Sequence, residues 1–230
     1  MQYNTQVNSI AAIDSGLRQH FISIFNYMTL AMLISGLVSA FVGTTPALAQ
    51  AIWGSPLKWV VMLAPLGMAF YLGFRIQSMS LQTAKIALFA FSALMGLSLS
   101  SIFLIYKLGS IVQVFFMTAA TFGATALYGY TTKRDLSKMG SFLIMGVIGL
   151  VIASLVNIFL ASSVFQTVIS IVTVLIFTGL TAYDMQNQKA LYYELDGEVR
   201  EKAGVMGALS LYMNFINIFT SLLNLFGERE

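Results

Sequence analysis

A chain of 230 residues with 58% hydrophobic and only 9% charged side chains lacks the surface of a soluble domain, where charge normally makes up about 25%. Its net charge of +3 is too small for a nucleic-acid interface. The absence of cysteine excludes disulfides, thiolate metal sites and cysteine nucleophiles, and the lone His20 cannot build a histidine metal site or relay by itself.

Hydrocarbon offers backbone groups no water, so long apolar stretches must fold as packed helices, and about 20 residues make one crossing. Twenty mostly polar residues, Asp14 among them, precede the first stretch, unlike a signal peptide; Ala47-Leu48-Ala49 only mimics a cleavage site. The first span is Phe21–Val42. The loop after it, Thr44–Pro56, holds Pro46, Gly54 and Pro56 as turn residues, with Trp53 and Trp59 expected at headgroup level. Leu57–Phe74 follows, with Pro65 predicting a kink at mid-span and Arg75 at its end. The third, fourth and fifth spans are Ala84–Tyr106, Ile111–Tyr130 and Ser141–Leu160. They carry Gly96 with Ser100, Ala119 with Gly123, and Gly149 with Ala153, a four-residue spacing of small side chains that lets helices approach closely. The sixth span, Val164–Tyr183, is followed at once by Asp184. A mixed-charge stretch, Lys189–Lys202, reads as a solvated helix and turn before the seventh span, Val205–Phe226, which Asn214, Asn217 and Asn224 interrupt. The pattern predicts an all-α polytopic membrane protein, one integral membrane domain over residues 1–230 with seven transmembrane helices.

Lys and Arg are unevenly shared between the two sides. Nine (Arg18, Arg75, Lys85, Lys133, Arg134, Lys138, Lys189, Arg200, Lys202) fall on the N-terminal side and three (Lys58, Lys107, Arg229) on the other. Positive charge stays cytoplasmic, so the N-terminus is expected inside. Seven full crossings then put the C-terminus outside, whereas a re-entrant last span would return it inside.

Asp184 is the polar group that most needs an explanation. A carboxylate at bilayer depth costs about 2.5–3.5 kcal/mol, less toward the edge. It should face protein or water, pair with a cation, or carry a proton; otherwise it is a helix-end residue wetted by cytoplasm. Arg75 shares its boundary and is either a latch partner or an ordinary positive-inside anchor. Asn214 and Asn217, three residues apart, share one helix face. They act either as glue between helices or as lining of a wet path.

Three segments carry a resemblance. Tyr183-Asp184-Met185-Gln186 is similar to a Tyr-Asp-Thr-Gln motif, and Ala208–Phe219 to a last-helix signature. Tyr128–Ser137, between the fourth and fifth spans, is similar to a Tyr-x-Thr-x-Lys-Asp-Leu loop, and Asn157-Ile158-Phe159 also matches. In the same order along the whole chain, these resemble the Bax inhibitor-one (transmembrane Bax-inhibitor-motif) family, in its bacterial inner-membrane branch. The resemblance implies a seven-helix bundle with the last helix central. It also implies a pH-sensitive calcium leak, in which two Asp residues share a proton and pair with an Arg. Asp184 matches the first Asp, Asn214 stands where the second is expected, and Arg75 matches the Arg only approximately. Asn217, Tyr183 and Asn157 are expected as secondary polar lining.

The leading expectation is a calcium or cation leak through the inner membrane. Its gate is a latch of Asp184, Asn214 and Arg75, with Asp184 as a calcium ligand and calcium as the transported ion rather than a cofactor. Replacing the second Asp by Asn keeps a hydrogen bond but loses one titration and one charge. The competing expectation is a non-conducting regulator of a membrane-bound ATP-dependent protease or stress response. An enzyme is not expected. No second membrane-embedded Asp completes a protease dyad, His20 lies outside the spans, and no Lys in Val205–Phe226 could hold retinal.

Overall fold

The computed structural model describes the backbone of residues 2–230, and the side chains from Ser15 onward other than Gln77; the Asp14 side chain lies outside the described residues. Eight α-helices follow one another: α1 (Gln2–Thr44), α2 (Pro46–Trp53), α3 (Leu57–Arg75), α4 (Leu81–Leu99), α5 (Leu108–Thr131), α6 (Ser137–Leu160), α7 (Ser163–Glu194) and α8 (Gly197–Phe226). Short 3-10 turns extend α3 over Ile76–Ser78 and α4 over Ser100–Leu104. Seven of the eight are long and apolar enough to cross a membrane; α2 instead fills the first loop. Pro46 starts α2, where its missing N–H has no partner to lose. Pro65 sits inside α3, which runs unbroken as a helix past it.

The bundle is built around α8. Of its most apolar window 72% is buried, against 6% to 33% for the other six. α7, α1, α5 and α4 all pack on it, while α6 touches chiefly α7 and faces the lipid. Leu211, Tyr212 and Ile218 of α8 have no exposed surface at all. The last helix is therefore central, as expected. It is also one unbroken helix from Gly197 to Phe226, long enough for a full crossing. Beyond it, Arg229 forms a β-bridge with Tyr106, and Lys107 N–H donates to the Glu228 carbonyl at 2.9 Å. The chain thus ends beside the α4–α5 connection, at the end opposite Asp184.

Three boundaries differ most from expectation: α1 begins at Gln2 and not at Phe21, and the sixth and seventh spans run on into the charged stretch between them. The sixth span does not stop at Tyr183. α7 continues to Glu194 and α8 begins at Gly197, so the charged stretch is helical on both sides of a two-residue turn, where Gly197 takes a φ of 55°. Of the small-residue pairs, only the first makes a tight helix contact. A Cβ on Gly96 would meet the Ser35 backbone of α1 at 2.6 Å, whereas Gly123 and Gly149 have open space around that position. Tight contacts that the spacing missed lie at Gly129, against the Ala182 backbone, and at Gly207, against the Gln188 amide.

Overpacking at a close backbone approach costs about 1–3 kcal/mol. Gly96→Leu is therefore expected to lower the thermal midpoint in detergent by several degrees, and Gly149→Leu to leave it unchanged, as followed by loss of monomer on size-exclusion chromatography after heating.

Candidate functional site

Because α7 extends past Asp184 by ten residues, about 15 Å of further helix, this carboxylate is not at a frayed helix end. It faces α8, where Ser210 and Asn214 stand four residues apart and so on one face. Ser210 Oγ–H donates to Asp184 Oδ2 at 2.6 Å, and Asn214 Nδ2–H donates to the same oxygen at 2.7 Å. Asn214 is 3% exposed. Among the described residues Oδ1 accepts no hydrogen bond. The two bonds tie the central helix to its closest neighbour, and hydrogen bonds to a carboxylate are shorter and stronger than neutral ones.

Asp184 and Ser210 lie on the wall of a cavity of about 620 Å³. Asn187, Gln188 and Lys202 share that wall, and Gly73 and Ile76, at the end of α3, close it from the side. The cavity is at the end of the bundle that carries most of the lysines and arginines. Gln188 is 5% exposed, with its amide packed against Gly207. At the rim, Lys202 Nζ pairs with Glu198 Oε1 at 3.2 Å, and Glu198 Oε1 accepts from Leu81 N–H at 3.3 Å. The rim is thus held to the start of α4 by one acidic side chain.

The remaining expected residues distribute as follows. Arg75 is exposed and makes no ion pair among the described residues; its neighbours Gly73 and Ile76 face the cavity, and the cation lining it is Lys202. Asn217 Nδ2–H bonds the Met213 carbonyl of its own helix at 2.8 Å, so its amide donor is satisfied without a partner helix. Tyr183 faces α6, its ring filling the space beside Gly140, and is not directed into the Asp184 site. Asn157 is at the opposite end of the bundle. Its Nδ2–H donates to Gln166 Oε1 at 2.9 Å, and its Oδ1 accepts from Ser162 N–H at 3.2 Å, which closes the α6–α7 turn. Gln166 and Asp184 are eighteen residues apart on α7, about 27 Å, so Asn157 has no part in the carboxylate site.

Ser210, Gln188 and Lys202 were not singled out from the sequence. Ser210 was legible as the residue four before Asn214. Gln186, beside Asp184 in its motif, clips the α5–α6 loop to α7: its Oε1 accepts from Leu136 N–H at 2.8 Å and its Nε2–H donates to the Arg134 carbonyl at 2.7 Å. In that loop, hydrogen bonds from Ser137 hold the Asp135 carboxyl below its ordinary range. Toward the far end, α8 carries a polar seam through Asn217, Ser221 and Asn224, which ends where Tyr106 O–H donates to Asn224 Oδ1 at 3.1 Å. No group of three or more His, Cys, Asp or Glu able to hold a metal occurs among the described residues. Calcium takes six to eight oxygens, so the single carboxylate of Asp184 is too few ligands for a closed metal site.

Comparison with known proteins adds the following. A family model described as inhibitor of apoptosis-promoting Bax1 matches residues 17–230. An uncharacterised protein of Rickettsia prowazekii is 40% identical over 227 residues, covering 98% of this chain and 96% of its own. The inner membrane protein YbhL of Escherichia coli K12 is 37% identical over 227 residues, covering 97% of both chains. An uncharacterised protein of Borreliella burgdorferi is 42% identical over 210 residues, covering 90% of both.

Removing a hydrogen bond to a buried charged group costs about 1.5–3 kcal/mol. Asn214→Leu and Ser210→Ala are each expected to destabilise the bundle by about that amount, while Arg75→Gln leaves it unchanged. Thermal unfolding of the three purified variants in one detergent checks the order.

Proposed function

Membership of the Bax inhibitor-one family is the premise: the chain belongs to it, and we propose that it forms a pH-sensitive cation leak, calcium included, through the bacterial inner membrane. The N-terminus and the Asp184 cavity face the cytoplasm, in keeping with nine of its twelve Lys and Arg residues at that end. The observation that carries the reading is a carboxylate that joins the central helix to α7 through Ser210 and Asn214 while lining an open cavity. A proton added to that oxygen removes an acceptor, weakens the α7–α8 tie and changes the charge a cation meets. Lys202, paired with Glu198 at the rim, lines the cavity and Arg75 does not, so Lys202 is the cation that an ion entering the cavity meets.

A second reading has its own support. The closed seam of α8, whose asparagines bond within their own helix at 217 and 224, suits a non-conducting regulator of a membrane-bound ATP-dependent protease. Copurification of such a partner from gently solubilised membranes, with no flux in vesicles, would favour it.

Calcium entry into dye-loaded proteoliposomes tests the leak. Wild type is expected to conduct differently at pH 6 and pH 8, Asp184→Ala to lose the difference, and Lys202→Gln to shift it more than Arg75→Gln does. Asn214→Asp would bring two carboxyl groups to about 3 Å, where they share one proton, so it is expected to make the pH response steeper. Equal entry at both pH values in wild type and Asp184→Ala would defeat the proposal.

A further inference from the structure

Across the bundle from the Asp184 cavity, α1 and α5 stand apart and leave a groove of about 510 Å³ between them. Its walls are apolar. Phe25, Met28 and Met32 come from α1, and Ala119, Gly123 and Ala126 from α5, with Met185 and Phe215 as the floor. Four-residue spacing of small side chains on α5 serves here to leave room. A Cβ on Gly123 would touch nothing within 4 Å. The groove runs from Arg18 to Met32 on α1, about 21 Å of helix, against about 15 Å for half of a bilayer's hydrocarbon core.

Charge lines the groove at one end alone, with the Thr29 hydroxyl as a neutral polar group farther along. Arg18 and Tyr130 stand at the charged end, which is the end rich in lysine and arginine. Arg18 is exposed and makes no ion pair among the described residues. A second cation is close by: Lys189 Nζ lies 5.3 Å from the Tyr130 ring centroid and donates to the Tyr130 carbonyl at 3.4 Å.

The geometry points to a binding site for one anionic phospholipid, with an acyl chain in the α1–α5 groove and its phosphate on Arg18. Three features choose this occupant. The groove opens sideways at membrane depth, where acyl chains are the surrounding solvent. Its length matches a single leaflet together with the headgroup layer. Its charge is confined to the mouth and is positive, with a guanidinium suited to bidentate phosphate contact. The site is independent of the cation-leak reading, because no residue of the Asp184 hydrogen-bonding pair lines it.

Native mass spectrometry of the intact protein with added phosphatidylglycerol or phosphatidylcholine tests the site. Wild type is expected to retain phosphatidylglycerol over phosphatidylcholine by about fivefold, the worth of one cation at an anionic membrane surface. Arg18→Gln should equalise the two lipids while keeping the acyl adduct. Gly123→Phe, which fills the groove, should lose both, and Gly149→Phe, which adds the same ring in another open position, should behave as wild type. Retained phosphatidylglycerol preference in Arg18→Gln would overturn the proposal, as would undiminished adducts in a folded Gly123→Phe. Should Gly123→Phe fail to fold, the Arg18→Gln comparison decides alone.

Discussion

A single carboxylate oxygen, Asp184 Oδ2, holds two donors from the central helix, and the packing of α7 on α8 at that level depends on it. A bilayer provides no water to compensate a buried charge. The bundle answers by extending α7 past the membrane boundary, so that Asp184 stays inside a helix and against α8. It sets a serine and an asparagine on successive turns of α8 to meet it, and leaves a cavity on one side only. The close α7–α8 approach needed for those bonds is made possible by Gly207, whose missing side chain leaves room for Gln188.

Much of this was legible from residue order. Seven apolar stretches, the central position of the last helix and the Asp184–Asn214 pairing follow from hydropathy, from polar residues that must be buried and from family motifs. Arg75 was not legible in its true position. Successive helix residues are turned by about 100°, so Gly73 and Ile76 can face the cavity while Arg75 points elsewhere, and only the packed structure fixes that rotation. Lys202 was hidden for a related reason. In a charged stretch read as a solvated turn, nothing marks which residue has become the first turns of α8. Tyr183 and Asn157 matched motifs whose work turns out to be helix packing and turn closure.

Small residues teach a similar lesson. Their four-residue spacing permits a close approach but does not compel one. At Gly96 another backbone fills the space; at Gly123 none does, and the same pattern yields a groove. What separates the two is the neighbour: α4 lies against α1 along its length, whereas α5 is held by α7 and α8 and turned away from α1.

The account rests on α7 and α8 being coupled through Asp184 and Asn214, and a double-mutant cycle on calcium flux measures that coupling directly. Asp184→Asn and Asn214→Leu should each change the flux, and the double variant should change it no further than the larger single effect. Independent effects that multiply in the double variant would show that the two side chains act separately and would contradict the account.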